Sequence, residues 1–270
     1  MYWVKQHISV TLFFLVVTVG FVLSPAIGPA WDEPDNMFSG GVYVNFFQHG
    51  LDPSYFALKT DKASIYGDRI FPNDHLAAHL PPIHNYVGVL LVLAAQALHI
   101  PTTAPVIIIA WHMATVLFFA VTVTMTYRFG LLLGLSVGSS LFASLAVFMF
   151  PQLFGHGLSN VKDTAQAAMF ILALYYLVKK DLLIGAVVWG VGLATKFNAV
   201  YVPIIWGIWK STNLLIYKST NAKKGILLII YHLSFIIAIG VLVAVAVWPY
   251  LWFDTIQHIL EVVRYFITVG

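Results

Sequence analysis

Three carboxylates crowd into Trp31-Asp32-Glu33-Pro34-Asp35, directly after the first long apolar run of the chain. A carboxylate at the edge of hydrocarbon can act as a general base or as a ligand for a hard cation; the bland alternative is a solvated loop start. A second group lies in the segment from Pro151 to Asp163, which links two apolar runs and carries His156, Lys162 and Asp163. Ionisable side chains so close to hydrocarbon are candidates for function, although Asp163 also suits the first turn of a following helix by favouring its dipole. A third group is Thr195-Lys196-Phe197-Asn198. Its Lys can bind a phosphate as a point charge, with Asn198 adding a hydrogen bond, or it can simply snorkel to water. The fourth group holds His75, His79 and His84. His75 and His79 have the spacing of a metal-binding pair only if the segment is helical, and no acidic third ligand accompanies them. Asp52, Lys59, Asp61, Lys62, Asp68, Arg69 and Asp74 read as solvated loop surface, and the Gly and Pro residues among them predict short helices joined by turns.

The elements that must position these groups are membrane spans. Of 270 residues, 60% are hydrophobic and 9% charged, against about 25% charged in a soluble domain. Apolar runs recur along the whole chain, so the expected fold is all-α: one polytopic transmembrane helix bundle, residues 1–270, without a separate soluble domain. The 8 Trp and 13 Tyr suit helix ends anchored at a membrane interface. A net charge of +3 is too small to suggest a nucleic-acid partner. With no cysteine, disulfides, thiol catalysis and zinc–thiolate sites are excluded.

Runs at 8–26, 105–127, 131–150 and 225–248 read as spans, with a shorter one at 164–178. The first is read as a retained helix and not as a cleaved signal peptide. The stretch 182–209 is broken by Lys196 and Asn198, and 83–100 carries Asn85, Gln96 and His99 after Pro81-Pro82. Basic residues cluster at Arg128, at Lys179-Lys180, and at Lys210, Lys218, Lys223 and Lys224. The positive-inside rule wants these on one side with Lys5. That requires 83–100 not to cross and 182–209 to form a hairpin of two half-helices with Lys196 at its tip, giving about seven spans and a long first outer loop containing interfacial helices. Letting 83–100 cross would instead leave Lys196 near mid-membrane, at a cost of about 3 kcal/mol. The favoured arrangement gathers 27–82, 151–163, Lys196 and the chain end from Trp248 onward on the outer face.

In their order and spacing these motifs resemble the glycosyltransferase C superfamily, in particular its protein O-mannosyltransferase and aminoarabinose-transferase branch. The resemblance runs from about residue 20 to 265. It rests on Asp32-Glu33 after the first helix, Pro81-Pro82-Ile83 closing the first loop, Arg128-Phe129-Gly130, Pro151 leading to Asp163, and Thr195-Lys196. It departs at His156–Asn160 and at Leu80, where many members carry basic groups. The resemblance implies transfer of a sugar from a polyprenyl-phosphate carrier to a protein, lipid or glycan acceptor at the outer face of a plasma (inner) membrane. It implies Asp32 as first choice of base, Glu33 as second, and Asp163 as a third catalytic carboxylate. Lys162, Lys196, His156, His79 and Asn198 are then the substrate-binding candidates. Some members use a divalent ion and others do not, so a metal on Asp32 and Asp163 stays open. Members carry further helices and an outer domain, so the stop at Gly270 reads as a catalytic half. A lipid or solute transporter and an inactive remnant are the alternatives; a transporter should show mid-membrane charges on inverted repeats, and no repeat is visible.

Overall fold

The computed structural model describes residues 2–30, 33–58, 76–216 and 222–268; every regular element among them is helical. The α-helices are α1 (Tyr2–Leu23), α2 (Glu33–Gln48), α3 (Ile83–Ala97), α4 (Ala104–Leu132), α5 (Val137–Met149), α6 (Pro151–Ser159), α7 (Val161–Val178), α8 (Leu182–Leu193), α9 (Tyr201–Ile216), α10 (Ala222–Val247) and α11 (Thr255–Thr268). Four are long and apolar enough to cross a membrane: α1 with its extension to Ala26, α4, α7 and α10. A fifth is reached if α5 and α6, bent by 65° at Phe150, count as one broken span. The sequence expectation of about seven spans adds α8 and α9, and α8 with its 12 residues falls short of the ~20 a span needs.

α4 is the hub. Its side chains pack on α1, α3, α5, α6 and α7, and they include the buried Trp111, Phe118, Phe119 and Val123. Small residues let the neighbours close in. A β-carbon on Gly20 of α1 would meet Val116, one on Gly88 of α3 would meet Trp111, and one on Gly157 of α6 would meet Phe119. Such small-residue contacts replace the hydrophobic effect as the force joining helices in lipid. On the far side, α8 sits between α7 and α10. Trp189 donates to the Ala199 carbonyl (2.7 Å) and Trp206 to the Leu177 carbonyl (3.0 Å), which ties α8 and α9 to their neighbours.

The contacts also fix which ends lie together. Lys5, Arg128 and Tyr175 line one recess, so the start of α1 and the ends of α4 and α7 share one end of the bundle. Lys210 joins them, close enough to Lys180 to feel its charge. At the other end are the finish of α1, the start of α7 and the α8–α9 break. α3 starts there, where the Ile83 amide donates to the Ala194 carbonyl (3.2 Å). It then runs back along the first half of α4, through Gly88 on Trp111, and does not reach the Arg128 end.

A cap closes this second end. The Trp248 indole and the Tyr43 hydroxyl both donate to the Ala78 carbonyl, at 3.2 and 2.9 Å, and the Tyr86 hydroxyl donates to Val247 (3.2 Å). Phe46 stacks on Phe56 beneath Trp252 and Phe253. α11 docks on this cap through Val262 while Ile256, Leu260 and Ile267 stay exposed. The stretch expected to be a long outer loop with interfacial helices is helical over 33–48 and packed where it is described, and its residues 59–75 lie outside the described part.

Candidate active site

Asn160 organises the first cluster. It interrupts the helix between α6 and α7, and its side-chain oxygen accepts from the Asp163 amide (3.1 Å), capping α7. Its amide nitrogen donates to Asp163 Oδ2 (3.0 Å) and approaches His156 Nδ1 (2.8 Å). That contact makes Nδ1 the acceptor and leaves the imidazole proton on Nε2. Lys196 Nζ donates to the other Asp163 oxygen, Oδ1. Lys196 is carried by the break between α8 and α9, where its backbone is extended. The sequence predicts the half-helices and the tip. It reads Lys196 as binding a phosphate or snorkelling to water, and the structure pairs Lys196 with Asp163.

A cavity of about 260 Å³ opens at Asp163. Gln152, His156 and Asp163 line it together with the apolar Phe119, Val147 and Leu153. The segment 151–159, expected as a polar loop, is the helix α6. The extended Phe150 and Pro151 at the first helical position turn the chain into it, and Gly157 is required because Phe119 occupies the space of any larger side chain.

The second cluster is fully buried. Glu33 is 0% exposed. Its Oε2 accepts from the Ala30 amide (2.7 Å) and faces His112 Nε2 at 3.1 Å. His112 Nδ1 lies 3.4 Å from the Ser24 carbonyl oxygen. Glu33 Oε1 has no partner among the described residues. Glu33 is not a solvated loop residue; it is the first residue of α2 and points inward. His112 was not among the sequence-based candidates. Its signal was an ionisable residue inside the longest apolar helix, which is a functional-site hypothesis by default.

His84, in α3, bridges the two groups. Its Nε2 donates to Asn36 Oδ1 of α2 (2.8 Å), and it lies within electrostatic reach of Lys162 and Asp163. Burial, and after it the Lys162 charge, hold the His84 imidazole well below its usual range, so it is neutral. Its Nδ1 is buried without a partner among the described residues, as are both amide atoms of the neighbouring Asn85. Buried polar atoms left this way cost about 1–3 kcal/mol each, and their concentration around one face of α3 marks a polar interior unusual for a helix bundle in lipid.

The remaining candidates separate. Asp32 lies outside the described residues. Asn198 is exposed on the 3₁₀ turn after Lys196. His79 belongs to the cap, where its Nε2 is 3.3 Å from the Tyr250 hydroxyl and 4.0 Å from Glu261. His75, the other half of the candidate His75/His79 pair, lies outside the described residues, and His79 and His84 face different partners. Among the described residues no three His, Asp or Glu side chains converge as a metal site. Both oxygens of Asp163 are engaged, by Lys196 and Asn160, so a divalent ion there would have to displace Lys196. The chain matches no protein-family model and no curated protein.

Proposed function

We propose that this chain is a membrane glycosyltransferase that moves a sugar from a polyprenyl-phosphate carrier to an acceptor at the extracytoplasmic face. The observation that carries the reading is Asp163, paired with Lys196, in the lining of a cavity that polar and apolar side chains share. A donor with a phosphate head and a hydrocarbon tail presents the same two chemistries. Support for the sidedness comes from charge: Arg128, Lys179, Lys180 and Lys210 gather at the end of the bundle opposite to the site, and the positive-inside rule makes that end cytoplasmic. In this arrangement α1, α4, the α5–α6 pair, α7, α8, α9 and α10 make seven passes, with α8 and α9 as half-helices buried by their neighbours.

The chemistry requires an acceptor hydroxyl to attack the anomeric carbon as the bond from that carbon to the phosphate oxygen breaks. The bonding electrons leave on the phosphate, and the acceptor proton goes to a carboxylate, for which Asp32 is the first choice. Lys196 stabilises the charge that develops on the leaving phosphate by exchanging Asp163 for it. Glu33, buried against His112, holds the start of α2. A transporter would place its ionisable groups at the bilayer midplane on repeated halves; here they lie at one end. The test is transfer from a polyprenyl-phosphate sugar in proteoliposomes. Asp32→Asn lowers turnover about 10²-fold or more if it removes a general base, while Glu33→Gln lowers it less. Near-normal turnover by Asp32→Asn, or solute flux with no transfer, rejects the reading.

A further inference from the structure

A second charged recess lies at the opposite end of the bundle and plays no part in the chemistry above. It encloses about 340 Å³ between α1, α4 and α7. Lys5 and Arg128 line it together with Gln6, Ser9 and Tyr175, and Val10, Leu131 and Leu132 continue it along the helices. Arg128 lies over the Tyr175 ring with its Cζ 5.6 Å from the centroid, and Lys179 Nζ is 6.0 Å from the same centroid. The recess therefore has three cations around it and no carboxylate in its lining. Among the described residues, the ion pairs use Glu33, Asp163 and Glu261, all at the other end, and none involves these three cations.

Cations that converge without an acid repel one another unless an anion is supplied. Two features say which anion. The recess sits where spans end, so its mouth is at headgroup depth, and its floor runs onto apolar helix surface. Basic pockets between spans on the cytoplasmic side suit anionic lipid head groups. A guanidinium beside an ammonium matches the two free oxygens of a phosphodiester, the first as a fork and the second as a point charge. We propose that this recess is a binding site for one anionic phospholipid of the cytoplasmic leaflet, whose phosphate is held between Lys5 and Arg128 and whose chains lie along Val10, Leu131 and Leu132. The site joins the first helix to the hub, so the lipid acts as a clasp between α1 and α4. The inference needs only membrane insertion and is independent of the glycosyltransferase reading.

Native mass spectrometry of the full chain, released from vesicles of phosphatidylglycerol and phosphatidylcholine, tests it. The protein retains one phosphatidylglycerol in preference to phosphatidylcholine. Lys5→Gln and Arg128→Gln each lower that retention about five- to tenfold, Arg128→Lys keeps most of it, and Lys224→Gln, which removes a charge away from the recess, leaves it unchanged. Thermal melts confirm that each variant is folded. Equal retention of the two lipids, or equal retention by wild type and Arg128→Gln, overturns the proposal. Displacement of the lipid by millimolar inorganic phosphate or glycerol phosphate assigns the recess to a soluble phosphate and overturns the lipid assignment.

Discussion

Replacing Asp163 by Asn should tighten donor binding. The reasoning starts from the state of Lys196, whose charge is already neutralised by Asp163, so a phosphate must compete for it. The Lys196 side chain is 28% exposed and that of Asp163 40%. Exposed pairs are worth about 0–1 kcal/mol, whereas breaking a buried one costs about 3–5 kcal/mol. A half-exposed pair falls toward the lower range, at about 1–2 kcal/mol, a factor of about 5–30 in an equilibrium constant. Asp163→Asn removes the competing charge but keeps the shape and the hydrogen bond to Asn160, so affinity for the polyprenyl-phosphate sugar should rise within that range. Lys196→Gln removes the phosphate contact, worth about 1.5–3 kcal/mol, and should lower affinity at least tenfold. The double variant should bind like Lys196→Gln, because Asp163 acts on the donor only through Lys196. The assay is equilibrium binding of radiolabelled donor to protein in nanodiscs, with melting temperatures as a folding control. If Asp163→Asn and Lys196→Gln weaken binding alike, the pair is a structural strut and not a phosphate-exchanging one.

Gly240→Ala should destabilise the protein by about 1–3 kcal/mol, as overpacking does, because the added carbon would stand 2.1 Å from the Trp189 ring; a melting curve in detergent checks it, and an unchanged midpoint refutes the close approach. The docking of α11 should weaken on acidification. Hydrogen bonding from the Tyr250 hydroxyl, the largest cause, lowers the Glu261 carboxyl below its ordinary value, with His258 and His79 adding in the same direction. A depressed folded-state pKa contributes stability above the unfolded value and loses it as pH falls through the folded one. Protection factors in 255–268, which allow for the slower intrinsic exchange in acid, should therefore fall below the ordinary carboxylate range, and Glu261→Gln should flatten that dependence.

Much of the scaffold was legible because lipid imposes simple rules. Apolar runs gave the long helices within a few residues, and Lys196 with Asn198 marked the break that separates α8 from α9. Basic clusters correctly grouped the ends of α4, α7 and α9, since charge alone sorts them. What stayed hidden depended on partners distant in sequence. Glu33 reads as a loop acid until His112 is brought against it, and His112 reads as one odd residue in an apolar helix. Asn160 reads as an ordinary turn residue until Asp163, His156 and Lys196 converge on it. α6 was missed because Gly155 and Gly157 argue against a helix locally, while Phe119 makes one of them necessary.

The glycine contact between α8 and α10 bears on how the protein is made. A β-carbon on Gly190 would stand 2.4 Å from the Gly240 carbonyl oxygen, so these two backbones touch with nothing between them. α8 is too short to partition into the bilayer by itself, and the surface that completes its burial is on a helix synthesised later. The α8–α9 hairpin, and Lys196 with it, must then wait at the interface until α10 emerges. The Asp163–Lys196 pair then forms only after α10 has emerged, and a ribosome stalled before Gly240 should yield a chain whose first helices are inserted but whose Lys196 has not yet met Asp163.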